Sequence, residues 1–197
     1  MYAFSILGVM KRMSKKKNPS IIQTDIWPDE RSIIESPHRL EYVRKIVKPT
    51  GCVFCAAAKA KASKESLVVF KSSKLLVVLN KYPYNNGHLL VMPKRHVADY
   101  EKMTDIELNG MTFLTRESLK ILKKVYQPQG FNIGLNLGGS AGAGIPEHLH
   151  QHVIPRWNGD TNFFPLIAKT KLVVETLEQS YNQLRPLFEK LEKKGVL

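Results

Sequence analysis

Gly138 to Phe164 reads GGSAGAGIPEHLHQHVIPRWNGDTNFF, and this stretch decides how the rest of the chain is understood. Three of the six histidines in the sequence, His148, His150 and His152, fall here at alternating positions. Alternation at period two is a strand pattern, and an extended run would turn all three rings to one face. The glycine-rich loop before them leaves backbone N–H groups free to approach an anion closely. Imidazoles beside an anion-accepting loop suit nucleophilic and acid/base work on phosphate. The plainer alternatives are a half-buried strand of satisfied histidines and a metal site.

Upstream, Phe131-Asn-Ile-Gly-Leu-Asn136 alternates, with Phe131, Ile133 and Leu135 on one face and Asn132, Gly134 and Asn136 on the other. Thr104-Asp-Ile-Glu107 has capping-box form and opens a helix expected to run to about Tyr126. Leu108, Met111, Leu119, Leu122 and Val125 give it one apolar stripe, and Pro128 and Gly130 end it. Leu67 to Phe70 and Leu75 to Asn80 read as a hairpin. Asn86-Gly87 is a turn, and His88 to Met92 is the next strand, stopped by Pro93. A second amphipathic helix is expected from Lys171 to Lys194, bent or interrupted near Pro186. Three strands, a helix and two strands make an α+β domain with a mainly antiparallel sheet, a central helix and a C-terminal helix.

A chain of 197 residues holds one well-buried domain with extensions. We divide it into a basic flexible tail (1–24), an N-terminal extension (25–50), the main domain (51–165) and a C-terminal helical extension (166–197). No apolar run is long enough for a membrane span. The opening MYAFSILGVM is followed, not preceded, by its positive charges, the wrong order for a secretory signal, so a cytoplasmic location is expected. The formal charge is +13, of which Lys11, Arg12, Lys15, Lys16 and Lys17 supply five. The excess suits an acidic small substrate as well as a polynucleotide. With no repeat or RNA-binding signature, nucleic acid ranks second as a partner.

The two cysteines sit together as Cys52-Val-Phe-Cys55. Such a pair, without a secretion signal, reads as metal ligands or a redox site more readily than as a structural disulfide. Zinc needs four ligands and no second Cys pair exists, so histidines would complete a site. The candidates are His38, His88, His96, His148, His150 and His152.

HLHQHVI resembles the signature of the histidine triad (HIT) family, with Gln151 as the one polar residue at a normally apolar position. LNKYPYNNGHLLVMPKRH and GFNIGLNLGGSAGAGIPEHLHQHVIPRWNGDTNF are similar to the subgroup of diadenosine tetraphosphate phosphorylases and related hydrolases. Pro37-His38-Arg39-Leu40-Glu41-Tyr42 resembles a box that precedes the Cys pair in bacterial members. The resemblance covers about Gly51 to Phe164 and implies a HIT-like fold and, from the family, a homodimer. It implies cleavage of a dinucleoside polyphosphate at the α-phosphate through a nucleotidyl-histidine intermediate, which phosphate, water or another acceptor resolves.

Carried over by position, the resemblance makes His150 the nucleophile and His152 the residue that contacts the phosphate and assists the leaving group. Asn80 would hold the ribose and Asn136 the phosphate side. Gly139, Ser140, Ala141, Gly142, Ala143 and Gly144 would supply backbone donors, with Arg156 as an added cation. Cys52, Cys55, His96 and His148 would bind a structural zinc. Gly144 and Ile145 stand where many hydrolase relatives carry Gln and a hydroxyl residue, so the expectation is a phosphorylase. The alternatives are a hydrolase acting on dinucleoside polyphosphates or nucleoside phosphoramidates, and a zinc-stabilised nucleotide- or nucleic-acid-binding module without turnover.

Overall fold

A computed structural model of the chain describes residues 51–160 and 174–195. The basic tail, the N-terminal extension with its Pro37–Tyr42 box, and the expected end of the main domain at 161–165 lie outside the described residues. Five strands form one antiparallel sheet: β1 (Val68–Lys71), β2 (Leu75–Leu79), β3 (Leu89–Pro93), β4 (Gly130–Leu135) and β5 (Gln151–Arg156), in the order β1-β2-β3-β5-β4. The helices are α1 (Val53–Lys59), α2 (Asp105–Tyr126) and α3 (Leu177–Lys193). This is the expected α+β arrangement.

The strands β2 and β3 are buried on both faces, which is why LLVVL and LLVMP do not alternate. On one face, Val77, Leu79, Leu89, Val91 and Val153 pack on Met111, Leu114 and Leu122 of α2 and on Leu184 and Phe188 of α3. On the other, Val68, Leu76, Val78, Leu90 and Met92 pack on Phe54 and Ala58 of α1. A register shift between Val68 and Phe70 lets consecutive residues of β1 both be buried.

Helix α2 begins and ends where the capping box and Tyr126 put it. The Thr104 side chain accepts from the Glu107 N–H, and Glu107 accepts from the Thr104 N–H. The Glu107 carboxylate also takes a two-pronged bond from Arg95, at 3.0 and 2.8 Å. That bond fastens the segment carrying His96 to the start of the helix. Gly87 has φ +70°, and a Cβ there would lie 2.6 Å from Tyr126 Cε2, so the turn before β3 requires glycine.

Two helices depart from the pattern expected from sequence. Helix α1 has no counterpart among those expectations, and its Ala56–Ala58 run is a helix-favouring signal. Helix α3 starts at Leu177, not Lys171, because Thr176 and Gln179 form a second capping box. It continues through Pro186 without interruption. Strand β4 is an edge strand, so its apolar face is only partly covered and Ile133 remains 45% exposed.

The opposite edge is closed by α3. Glu192 accepts the Lys71 N–H at 2.7 Å, and Arg185 donates to the Val69 carbonyl at 2.7 Å. Backbone groups that would otherwise face a neighbouring strand are thereby satisfied within the chain.

Candidate active site and metal centre

The triad is not one continuous ladder strand. Pairing with β3 starts at Gln151, and only His152 of the three histidines lies in β5. Pro93 has no N–H with which to continue the ladder. Its carbonyl instead accepts the Nε2–H of His148 at 2.9 Å, while the Leu149 N–H reaches the Val97 carbonyl at 2.7 Å. The rings still gather on the α1 side. Phe54 lies 5.5 Å from the His148 ring and 4.9 Å from the His150 ring, and the His150 and His152 rings are 5.1 Å apart. Gln151 points the other way, with Oε1 3.0 Å from the Thr115 hydroxyl on α2.

His150 is buried, and its Nδ1–H donates to the His148 carbonyl at 2.8 Å. This fixes the tautomer and leaves the Nε2 lone pair for chemistry. Burial pushes the His150 pKa down, opposed by that hydrogen bond, and so favours the neutral ring.

The tautomer of His152 is set by His88, which has no catalytic part among the expectations from sequence. His88 is fully buried, and its Nδ1 accepts the Tyr84 N–H at 3.1 Å and faces the Asn80 amide nitrogen at 3.2 Å. Its Nε2–H must then donate to His152 Nδ1, 2.9 Å away, so a neutral His152 carries its proton on Nε2. A clue was available: a histidine directly after the Asn-Gly turn, in register with the apolar positions of a central strand. From the sequence alone it reads only as a strand residue and a possible metal ligand.

A cavity of about 490 Å³ opens beside these rings. Its apolar wall includes Val53, Phe54, Ala57, Leu67, Val78 and Ile145. Asn80, Asn136, Gly142, Gly144, His150 and His152 all reach it. Among the described residues, Gly139, Ser140, Ala141 and Ala143 do not line it, and two loop amides are spent within the loop: Gly142 donates to Gly139 and Ala143 to Gly138. Arg156 does not line it either. It forms a two-pronged pair with Asp160 at 2.6 and 2.7 Å and reaches Asn132, and this pairing holds the Asp160 carboxyl well below its ordinary range.

Cys52, Cys55, His96 and His148 converge as a second cluster, with ligand atoms within 4.8 Å of one another. Cys52 Sγ is 3.4 Å and Cys55 Sγ 3.7 Å from His148 Nδ1, and Cys55 Sγ is 3.3 Å from His96 Nδ1. A tetrahedral zinc with ordinary bond lengths would separate a sulfur from a nitrogen by about 3.6 Å. The His148 bond to Pro93 directs its Nδ1 lone pair at the cluster, the usual outer support of a metal-binding imidazole. The residues fit a metal ion.

The HIT domain family model matches residues 61–159. The chain belongs to the HIT domain family. HIT relatives include the AP-4-A phosphorylase of Mycobacterium tuberculosis, 44% identical over 119 residues, or 60% of this chain and 61% of that protein. The asymmetrical bis(5'-nucleosyl)-tetraphosphatase of Schizosaccharomyces pombe is 30% identical over 62% of this chain and 64% of its own length. The aligned segment thus spans about three fifths of these two proteins. A crystal structure of a Zn-bound histidine triad family protein from Mycobacterium smegmatis superposes with a TM-score of 0.58 at 28% identity, covering 73% of this chain and 97% of that one.

Proposed function

We propose that this HIT protein cleaves diadenosine tetraphosphate or a closely similar dinucleoside polyphosphate, with phosphate as the second acceptor. The carrying observation is the His150 geometry: a buried neutral imidazole, its Nδ1–H held by the His148 carbonyl, facing a cavity of nucleotide size. Similarity to the mycobacterial phosphorylase supports the substrate class.

In this reading His150 Nε2 attacks the α-phosphorus and the bridging P–O bond breaks. The His152 Nε2–H would protonate the departing oxygen. Phosphate then attacks the same phosphorus, the P–N bond breaks, and ADP leaves with His150 restored. Asn80 and Asn136, which line the cavity, would contact the ribose and the phosphates, with Gly142 and Gly144 as the backbone wall. The apolar wall would hold the base.

We assign the Cys52, Cys55, His96 and His148 cluster to a structural zinc. Four protein ligands leave no open position, so the ion would supply stability and no reaction step. Its thiol ligands suit a reducing, cytoplasmic setting. A homodimer through β4 is the assembly that the exposed Ile133 and the α3-closed β1 edge favour.

The deciding experiment is incubation with diadenosine tetraphosphate, for the wild type and His150→Ala, with products resolved by chromatography. Turnover by wild type and none by a folded His150→Ala protein is expected. Equal turnover by both would end the nucleotidyl-histidine reading. No turnover by wild type, with steeply salt-dependent polynucleotide binding, would favour the binding-module alternative.

A further inference from the structure

Among the described residues that line the cavity, Lys81 is the one with a full positive charge and Glu65 the one acid. Lys64, Arg95, Lys102, Arg116, Lys120, Arg156, Arg185 and Lys193 each stand within ion-pair distance of a carboxylate. Lys81 makes no ion pair with a described residue; its ammonium lies 5.9 Å from the centroid of the Tyr82 ring. The cation nearest to hand on the triad strand, Arg156, is held by Asp160. A lysine without an ion pair among the residues that line a cavity beside a phosphate-type site has an evident ligand class.

The location also decides which phosphate. Lys81 directly follows Asn80, whose amide nitrogen faces His88, and His88 in turn holds His152. The Tyr84 ring lies over the same two imidazoles, 5.1 Å from His88 and 6.1 Å from His152. The segment from Asn80 to Tyr84 therefore wraps the His152 side of the site. His150, by contrast, is backed by Phe54 of α1 and the His148 carbonyl. If His150 attacks, the group that departs lies on the His152 side, and with a dinucleoside polyphosphate each further phosphate on it carries negative charge.

We infer that Lys81 binds the phosphates of the leaving nucleotide beyond the scissile bond, and that it makes the site prefer polyphosphate over single-phosphate substrates. This rests on the cleavage reading for its catalytic consequence, but not for its binding consequence. The lysine charge favours every polyphosphate chain that passes it, whether or not a bond is broken.

The test compares wild type, Lys81→Met and Lys81→Arg. Affinities for ATP and AMP are measured by calorimetry. Wild type should bind ATP more tightly than AMP, and Lys81→Met should weaken ATP about tenfold or more, as expected for loss of a charge-assisted contact. AMP affinity should stay within twofold, and Lys81→Arg should recover most of the ATP affinity. Equal weakening of ATP and AMP, or no weakening of either, overturns the inference. In turnover, kcat/KM on diadenosine tetraphosphate should fall by a similar factor in Lys81→Met. The value on the 4-nitrophenyl ester of AMP, whose leaving group bears no phosphate, should hold. A wild-type protein that cleaves neither substrate defeats the proposed function, and the ATP-to-AMP comparison still decides the role of Lys81.

Discussion

The His148 backbone carbonyl accepts the Nδ1–H of His150 at 2.8 Å, while the ring of the same His148 faces the thiols of Cys52 and Cys55. Phe54, between those cysteines in sequence, touches both imidazoles. The metal cluster and the proposed nucleophile thus share one residue and one aromatic contact, although no ligand of the cluster would act on substrate.

Metal removal should therefore act twice. Chelation, or Cys52→Ser, is expected to lower the melting temperature by at least about 5 °C, as a loss of a few kcal/mol would in a domain of this size. It should also weaken AMP binding, because Val53, Phe54 and Ala57 of α1 form part of the cavity wall. Metal analysis, calorimetry and a nucleotide titration on the same samples check it. A Cys52→Ser protein with unchanged metal content and melting temperature would refute the ligand set.

His88 should matter to the rate more than to the fold. His88→Leu keeps an apolar group of similar size in a buried position but cannot donate to His152. A fall in kcat of about a hundredfold is expected, within the usual range for a disturbed general acid. His88→Gln, which restores a donor near the same place, should recover part of it. Equal kcat values for the Leu and Gln variants, with both folded, would show that the donation to His152 is not used.

Much of this was legible in the residues. The capping box at Thr104 and Glu107 fixed the start of α2, and the Asn-Gly turn fixed the start of β3. The triad spacing put the three rings together. Periodicity could not show that the ladder stops at Gln151, because that depends on Pro93 lacking an N–H and on Val97 taking the bond from Leu149. Nor could it show that Arg156 is already paired, since Asp160 lies across a turn. His88 was missed for the same reason: its function is a hydrogen bond to a residue 64 positions away.

The pair between Arg95 and Glu107 makes a pH prediction. Bonds from Arg95 and the helix N-cap bring the Glu107 pKa down to about 2 from an ordinary value of 4.5. A depressed carboxylate pKa adds stability that is fully present above the unfolded value and is lost as pH falls through the folded one. The contribution, on the order of 2 kcal/mol, should thus disappear between about pH 4.5 and 2. Glu107→Gln should be less stable at neutral pH and show a flatter slope in that window. An equal loss of unfolding free energy between pH 5 and pH 3 in wild type and Glu107→Gln, measured by urea titration at each pH, would contradict it.

Edge asymmetry makes the assembly testable. Ile133 is the exposed apolar residue of β4, and no helix covers that edge among the described residues as α3 covers β1. Ile133→Lys should convert a dimer to a monomer in sedimentation at micromolar concentration, with the melting temperature of the monomer little changed. A wild-type monomer at the same concentration would reject pairing through β4.

The choice of acceptor is the sharpest claim. In the proposed mechanism the first step is common to every acceptor, since His150 would displace the leaving nucleotide whatever follows. On that reading selection comes from the wall beside the His150 ring, where Gly144 and Ile145 both line the cavity. Neither carries a side-chain group that could hold a water molecule in line with the P–N bond. Positioning a nucleophile is worth a large part of any rate, so removing the water-holding groups penalises hydrolysis more than attack by a bulky anion that the protein's net charge attracts. With phosphate present, diadenosine tetraphosphate should give ADP and ATP; with water alone it should give AMP and ATP more slowly. The double variant Gly144→Gln with Ile145→Ser supplies an amide and a hydroxyl at these two positions. This variant should raise the AMP share severalfold at fixed phosphate. If phosphate leaves the wild-type rate unchanged and AMP dominates, the protein is a hydrolase. Water must then be held by other groups lining the cavity, with Asn136 the first to substitute.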